Sequence, residues 1–358
     1  MSSGQSGAAG RSVIIDPAFL GDSIFDGVLA RAIKIRAPGA YVGLVVRHPY
    51  QAVARHMPHL DAIHVYDKRG EDAGLFGLSR MAKKLRAARY DRAYVVHPSP
   101  RSAWLARWAG ITERRGFWGG WLANQSLTHR TSRVPGETFT QDRLRLLDST
   151  KIWPLSLSSV RGVLMVDGVP RSDPLCSEQA GAQGFRVGLV VGSQVPTKRW
   201  PIEQAARLVV ENRHMGWTWV LLGSPEERPL AKALLDALGS PGGIEDRVGE
   251  DLETLVSSVA GLDLVVAGDT GPLYVARALG VPTVGLFGPT PELRHQPGLL
   301  DRVLTVDMSC RPCSPHGPRK CPKGHHRCLA ELSSDRVVAA IEELFASLRP
   351  RSSTVSKA

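Results

Sequence analysis

The sequence lacks long apolar runs: no stretch of its 358 residues approaches the roughly 18 consecutive apolar residues of a membrane-spanning helix. Its first ten residues also lack the apolar segment of a secretory signal. Aromatic residues make up only 6% of the chain, and no basic region is interleaved with stacking aromatics. Helix-turn-helix and ribonucleoprotein patterns are missing as well, which argues against nucleic acid as a partner. The missing membrane-spanning and signal segments predict a cytoplasmic protein.

Cysteine is scarce outside one short segment. Four of the five cysteines fall within 310–328 in the pattern C-x2-C-x7-C-x6-C, and Cys176 stands apart. Disulfides rarely persist in a cytoplasmic chain, so four close thiols have the composition of a tetrahedral metal site. Two interpretations stay open, a structural zinc or iron site and a reduced, metal-free loop, and neither is catalytic. The candidate ligands are Cys310, Cys313, Cys321 and Cys328.

Acidic residues are scarce in part of the N-terminal half. Residues 69–145 hold 15 Lys or Arg against 6 Asp or Glu, and they account for most of the formal net charge of +11. Such a region attracts anionic partners, here an anionic membrane surface or a phosphorylated glycolipid. A helix predicted over 75–88 carries several of these cations opposite an apolar face, although an ordinary solvated helix face has the same pattern.

The length and the 43% hydrophobic content allow two α/β domains. The stretch 261–297 predicts one strand, helix, strand unit of a parallel sheet, with Pro272 in the first helical turn and Gly280 at the end of the helix. Asp269 or Thr270 is expected to cap the helix. A helix start at the carboxyl edge of a sheet favours an anionic ligand. The candidate residues are Asp269, Thr270, Gly271, Pro272 and Leu273.

The sequence DTGPLYVARALGVPTVGLFGPT, residues 269–290, resembles the donor-site segment of the family 9 glycosyltransferases, the ADP-heptose:lipopolysaccharide heptosyltransferases. KRWP at 198–201 is similar to the K-x-W-P of that family, and LGD at 20–22 is similar to the start of its first helix. GF at 116–117, LTHR at 127–130 and the cysteine run resemble the heptosyltransferase II branch. The chain departs from the family at Tyr274, where histidine is common, and around Ser193.

The resemblance implies an α/β fold of GT-B architecture, with two Rossmann-like domains facing each other across a cleft. We expect an acceptor-binding domain over 11–150, a linker over 151–183, a nucleotide-sugar-binding domain over 184–332 and a final helix over 333–349. The implied reaction transfers a heptose from ADP-L-glycero-β-D-manno-heptose to a hydroxyl of the lipopolysaccharide inner core, with inversion and without a catalytic cofactor. The acceptor is an anionic lipid-linked oligosaccharide, so the implied location is peripheral, on the inner face of the cytoplasmic membrane.

The resemblance also implies roles for single residues. Asp22 corresponds to the proposed general base, which must reach an acceptor hydroxyl, and Asp26 one helical turn later is the competing carboxylate. The resemblance implies that the positive charge of Lys198 contacts the donor diphosphate and stabilises it as the leaving group, and that the Ser193 hydroxyl lies beside it. Arg101 follows a strand at the same edge as Asp22, and it suits either an acidic acceptor sugar or a helix cap.

An acidic residue after the next strand suits the ribose hydroxyls of the nucleotide, and Glu226 is preferred to Glu227. Two other functions stay open. The departures at Ser193 and Tyr274 are compatible with a transferase of the same family that acts on a protein or natural-product acceptor. A non-catalytic nucleotide- or nucleic-acid-binding protein is the second alternative, and the presence of both Asp22 and Lys198 argues against it.

Overall fold

A computed structural model describes residues 10–68, 70–151, 153, 159–166, 184–239, 242–295 and 297–348. The chain divides into two compact units, the first formed by 1–165 with 293–296 and the second by 166–292 with 297–358. No helix within the described ranges is long and apolar enough to cross a bilayer. Each unit contains one parallel sheet, so the two units are taken in turn.

The first unit alternates strands and helices. Its strands are β1 (Arg11–Ile15), β2 (Tyr41–Val46), β3 (Ala62–Val65), β4 (Arg92–Val95), β5 (Glu113–Phe117) and β6 (His129–Thr131). Its helices are α1 (Leu20–Arg36), α2 (Gln51–Ala54), α3 (Gly74–Ala87), α4 (Pro100–Trp108), α5 (Trp121–Asn124) and α6 (Phe139–Leu147). The described strands pair in parallel in the order β3-β2-β1-β4-β5-β6.

The centre of this sheet is apolar on both faces, as expected for a covered parallel sheet. Val13 and Ile15 of β1 pack with Leu78 of α3 and Ala103 of α4, while Ile14 points to the opposite face because side chains alternate along a strand. Helices α3, α4 and α5 pack side by side, and α1 packs on α6. The strand order reverses between β1 and β4, and the crevice at this point is where doubly wound sheets bind ligands.

The second unit repeats the plan. Its strands are β7 (Arg186–Val190), β8 (Thr218–Leu222), β9 (Ile244–Asp246), β10 (Leu264–Gly268), β11 (Thr283–Leu286) and β12 (Asp301–Leu304). Its helices are α7 (Ile202–Glu211), α8 (Arg228–Leu238), α9 (Leu252–Ala260), α10 (Gly271–Leu279), α11 (Arg327–Ala330) and α12 (Ser334–Leu348). The described strands run in parallel in the order β12-β11-β10-β7-β8-β9, so the crevice lies between β7 and β10.

The expected α/β fold with two Rossmann-like sheets is confirmed. Helix α1 begins at Leu20, directly after the extended backbone of Phe19, so LGD at 20–22 does start the first helix. Asp22 therefore lies inside the first helical turn. This position matters because the helix backbone now fixes the direction of the Asp22 side chain.

The predicted linker 151–183 lies largely outside the described residues, as does Cys176, and its bounds stay a prediction. Its part 159–166 packs on α1: Arg31 Nη1 donates to the Arg161 carbonyl at 2.8 Å. A Cβ atom at Gly27 would lie 2.3 Å from Val163 Cγ1, so only glycine allows this segment to approach the helix. The predicted final helix is observed as α12 up to Leu348, and residue 349 lies outside the described residues.

Candidate active site

Asp22 lies at the carboxyl edge of the first sheet, and each oxygen of its carboxylate accepts one hydrogen bond. Its Oδ1 accepts a hydrogen bond from Arg143 Nη2 at 2.9 Å. Its Oδ2 accepts a long hydrogen bond from the Phe19 N–H at 3.4 Å. The side chain of Asp22 is 32% exposed, whereas that of Arg143 is 2% exposed. Asp22 is thus a solvent-accessible carboxylate anchored from the protein interior.

Arg143 of α6 is shared by three carboxyl groups. Besides Asp22, its Nε lies 3.2 Å from Asp26 Oδ1 and its Nη2 lies 3.4 Å from Asp16 Oδ2. Asp16 follows β1, Asp26 lies one turn after Asp22 in α1, and both are buried. If all three carboxyl groups were ionised, three negative charges would face the single positive charge of Arg143. Two of them would be unbalanced, in an environment where unpaired charge is costly.

Protonation relieves this excess charge. Burial raises the pKa of Asp26 to about 7; the Arg143 charge opposes this effect and the Asp22 charge reinforces it. Burial also raises the pKa of Asp16 well above its ordinary value, helped by the charge of Asp26. Asp26 is therefore a buried member of a proton-holding cluster, which makes it a poor rival to the exposed Asp22 for contact with a substrate hydroxyl.

Arg101 at the start of α4 binds the segment between β3 and α3 of the first unit. Its Nη2 donates to the carbonyls of Asp72 at 2.8 Å and Gly74 at 2.9 Å, and its Nε donates to the Tyr66 hydroxyl. These contacts connect α4 to the segment between β3 and α3. The structure therefore gives Arg101 a bracing role, and its contact with an acceptor sugar stays a prediction.

Lys198 and Asp269 form a close ion pair at the carboxyl edge of the second sheet. Lys198 Nζ donates to Asp269 Oδ2 at 2.7 Å, and both side chains are largely buried. Asp269 follows β10, and its Oδ1 accepts a hydrogen bond from the Tyr274 hydroxyl. A Cβ atom at Gly268 would lie 2.7 Å from the Lys198 carbonyl oxygen, so glycine is needed for this approach. The tyrosine at the position of the family histidine thus orients Asp269, which in turn orients Lys198.

The expected side-chain cap of α10 is wrong. Asp269 is engaged by Lys198 and Tyr274, and the Thr270 hydroxyl donates to the Gly268 carbonyl at 3.4 Å. Thr270 has the extended backbone of a cap residue, but its side chain accepts no capping hydrogen bond. The first turn of α10 therefore places the Gly271 N–H and a positive dipole end at the crevice, which suits a phosphate. Pro272 has no N–H, and the Leu273 N–H donates to the Thr270 carbonyl at 3.2 Å.

The remaining donor candidates differ in burial. Ser193 is buried, and its Oγ accepts a hydrogen bond from the Val195 N–H at 3.2 Å, which shapes the turn after β7. Glu226 is exposed. Glu227 is buried, and its Oε2 accepts a hydrogen bond from the Ser224 N–H at 2.8 Å.

Two glycines show where the Glu227 carboxylate lies. A Cβ atom at Gly192 would lie 2.7 Å from Glu227 Cδ, and one at Gly223 would lie 3.0 Å from its Oε2. Gly192 follows β7 and Gly223 follows β8, so this carboxylate fills the space between the ends of the two strands. The Glu227 carboxylate is therefore packed against the strand ends, whereas Glu226 of the same turn is exposed, and its contact with a ribose stays a prediction.

The cysteine segment is compact without forming a metal cage. Cys310 Sγ lies 4.0 Å from His325 Nε2, and Cys313 Sγ donates to the Cys310 carbonyl at 3.3 Å. Burial, then the neighbouring thiols, raises the pKa values of Cys313 and Cys328, so the sulfurs lie close enough to influence one another. Within the described ranges, no group of three or more His, Cys, Asp or Glu side chains has a geometry that could hold a metal. The observed arrangement does not fit a bound ion.

This segment supports the Lys198 loop. His326 Nε2 lies 2.7 Å from the Thr197 carbonyl oxygen, and the Thr197 hydroxyl donates to the Pro318 carbonyl. Gly317 has a φ of +76° and packs so closely that a Cβ atom there would lie 2.9 Å from Lys198 Cε. The cysteine segment thus packs against the Lys198 loop and restricts the position of the Lys198 side chain.

Comparison with known proteins identifies the family to which this chain is similar. A sequence profile described as "Glycosyltransferase family 9 (heptosyltransferase)" matches residues 78–326. The lipopolysaccharide heptosyltransferase 2 of Salmonella typhimurium is 27% identical over 93% of this chain and 97% of that protein. The structure of Escherichia coli ADP-heptose lps heptosyltransferase II aligns with a TM-score of 0.74 at 22% identity, covering 94% of this chain and 99% of the other. A family 9 glycosyltransferase from Veillonella parvula aligns with a TM-score of 0.79 at 22% identity, covering 96% and 100%.

Proposed function

The chain belongs to glycosyltransferase family 9, and from this premise we propose that it transfers a heptose from ADP-L-glycero-β-D-manno-heptose to a hydroxyl of the lipopolysaccharide inner core. The proposed reaction inverts the anomeric carbon and uses no catalytic metal. The observation that carries the proposal is the exposed Asp22 carboxylate held by the buried Arg143 guanidinium at the carboxyl edge of the first sheet. The name of the Salmonella typhimurium relative supports the choice of heptose and of a lipopolysaccharide acceptor.

In the acceptor step, Asp22 acts as the general base. The acceptor O–H bond breaks, its proton moves to the Asp22 carboxylate, and the oxygen forms the new bond to the anomeric carbon. Arg143 holds Oδ1 of Asp22 in place, and Oδ2, which accepts only a long hydrogen bond of 3.4 Å from the Phe19 N–H, is assigned to meet the hydroxyl.

In the donor step, the bond between the anomeric carbon and ADP breaks, and negative charge grows on the diphosphate. We assign Lys198 and the first turn of α10 to this charge, because preorganised donors stabilise a charge that develops in the transition state. Asp269 and Tyr274 hold the ammonium group in position. We assign the turn at Ser193 to the same phosphates. The ribose is assigned to an acidic residue after β8, where Glu226 and Glu227 are compared by substitution.

Two further statements belong to this proposal. The protein works at the cytoplasmic face of the inner membrane, held peripherally, because its acceptor is lipid-linked. The C-x2-C-x7-C-x6-C pattern is that of a structural zinc or iron site at Cys310, Cys313, Cys321 and Cys328, and a reduced, metal-free loop is the alternative that the observed geometry favours. Since the observed geometry does not fit an ion, no catalytic step is assigned to a metal.

The experiment is a transfer assay with purified protein, ADP-heptose and a heptosylated inner-core acceptor. The proposal predicts that the acceptor gains the mass of one heptose and that ADP appears in equal amount. ADP-glucose and a UDP-sugar serve as donor controls. Transfer only to a protein or natural-product acceptor would identify the alternative within the family, and no transfer from any nucleotide-sugar would favour a non-catalytic binding protein.

A further inference from the structure

The helices on one face of the first sheet carry cations and no acidic residues. Helices α3, α4 and α5 contain no Asp or Glu. In contrast, α1 and α6, which pack on each other, contain residues of both signs. The cations of the α3–α5 layer are Arg80, Lys83, Lys84, Arg86, Arg101 and Arg107. The helices on this side of the sheet therefore carry charge of one sign only, whereas α1 and α6 carry both signs.

Three of these cations face solvent around a recess, whereas Arg80 pairs with Asp72 at 3.3 Å and Arg101 braces the segment before α3. Lys83 and Arg86 of α3 and Arg107 of α4 are exposed, and Trp108 is partly exposed beside them. With Ser79 and Ala82 they line a cavity of about 280 Å³ between α3 and α4. The recess combines three cations with an aromatic wall, a composition that suits the phosphate ester of a lipid headgroup.

The same layer exposes large apolar side chains. Phe76 at the start of α3 is 91% exposed, and Trp121 at the start of α5 is 70% exposed. On α3, Phe76, Arg80 and Lys83 follow one another at helical spacing, so they lie on one exposed stripe. Exposed aromatics beside cations are typical of surfaces that lie in a membrane interface, where the rings enter the headgroup region.

We propose that the α3–α5 layer is the surface by which this protein docks on an anionic lipid bilayer. The proposal deepens the proposed function, since it rests on a lipid-linked acceptor and names the surface that meets the membrane. Charge complementarity selects the partner: the exposed Lys83, Lys84, Arg86 and Arg107, on helices without an acid, match a headgroup plane of net negative charge. These helices begin at the carboxyl edge of the sheet, so Phe76 and Trp121 in their first turns lie at the edge that carries Asp22, whereas Arg86 and Arg107 lie in the last turns.

The test measures binding to sedimented vesicles of phosphatidylcholine, with and without 30 mol % phosphatidylglycerol. The double variant Lys83→Gln/Lys84→Gln removes two exposed cations, and we expect roughly thirtyfold weaker binding, about fivefold for each cation. Phe76→Ser should weaken binding about tenfold by removing buried apolar area. The matched controls, Arg207→Gln/Lys232→Gln and Leu299→Ser, change exposed residues of the second unit and should bind like the parent.

Three results would overturn the proposal: equal binding to both kinds of vesicle, equal loss in test and control variants, or tighter binding to a DNA duplex that the same variants abolish. Transfer to a deacylated, water-soluble acceptor should stay at the parent rate in all these variants, which also shows that they fold. If the parent transfers no heptose to that acceptor, the proposed function fails, and the vesicle measurement still decides the docking surface by itself.

Discussion

Arg143 Nη2 lies 2.9 Å from Asp22 Oδ1. The contact joins a buried side chain, Arg143 at 2% exposure, to an accessible one, Asp22 at 32% exposure. The two residues are 121 positions apart in the sequence, so the fold alone brings them together. The same guanidinium contacts the buried Asp16 and Asp26. Arg143 is therefore a positioning residue for the proposed base, and the cluster around it sets the charge beside that base.

Replacing Arg143 with Lys should reduce kcat by about a hundredfold and leave the KM for ADP-heptose unchanged, because a small displacement of a catalytic group is costly. Lysine keeps the charge but lacks the planar fork that reaches three carboxyl groups. The control is Arg145→Lys on the same helix, whose partner is Glu137 at 3.2 Å. The pH profile of kcat should move in Arg143→Lys only. Equal, mild effects of the two substitutions would contradict the positioning role.

Asp26 should make the protein more stable in mild acid. Its pKa is raised to about 7 from 3.8, so between these values the folded protein keeps a proton that the unfolded chain has released. This contribution is fully present below about pH 4 and is lost as the pH rises through about 7, at up to about 1.4 kcal/mol per pH unit.

The measurement is urea unfolding of the parent and of Asp26→Asn at pH 5 and pH 7. The parent should gain more unfolding free energy on acidification than Asp26→Asn does, because the amide binds no proton in this range. Identical pH dependence in the two proteins would show that Asp26 is ionised in the folded state at neutral pH.

Lys198→Ala should lower the transfer rate by about a hundredfold, since one preorganised charge on the leaving diphosphate is lost. Lys232→Ala, which removes an exposed lysine of α8, is the matched control and should behave like the parent. Steady-state kinetics with varied ADP-heptose, together with calorimetric binding of ADP, separate donor affinity from turnover. Unchanged values of both for Lys198→Ala would remove Lys198 from the donor site.

The cysteine segment provides the next prediction. If the metal proposal holds, elemental analysis of protein purified without added metal finds about one zinc or iron per chain. Cys310→Ser should then lower the melting temperature and raise the KM for the donor, because His326 of the same segment contacts the Thr197 carbonyl next to Lys198. Cys176→Ser, at the cysteine outside the cluster, is the control. No bound metal combined with an unchanged melting temperature in Cys310→Ser would end the proposal.

The sequence patterns predicted the fold well where the strands are apolar. The strand, helix, strand unit predicted within 261–297 is observed as β10, α10 and β11. The edge strand β6 and its neighbour β5 carry charged residues and have no apolar run, so periodicity gives no signal for them.

The candidate site was predictable only in part. Asp22, Lys198 and Asp269 follow strands, so the pattern places them at a sheet edge, but their partners come from remote positions. One signal for Arg143 was present: it lies four residues after Phe139 and four before Leu147, on the buried stripe of α6. A lone arginine on such a stripe indicates buried carboxylates. The choice between Glu226 and Glu227 depends on the rotation of a short 3-10 turn, which sequence spacing does not determine.

The most direct test of the account is heptose transfer by Asp22→Asn, measured as acceptor mass gain under saturating ADP-heptose and acceptor. Asp251→Asn is the matched control, because Asp251 only caps α9 by accepting the Thr254 N–H at 2.8 Å, and asparagine caps about as well. The account predicts that Asp22→Asn loses about a hundredfold to ten-thousandfold in rate while ADP-heptose binding is kept and Asp251→Asn stays at the parent rate. A rate for Asp22→Asn within a few-fold of the parent would contradict the assignment of Asp22 as the base.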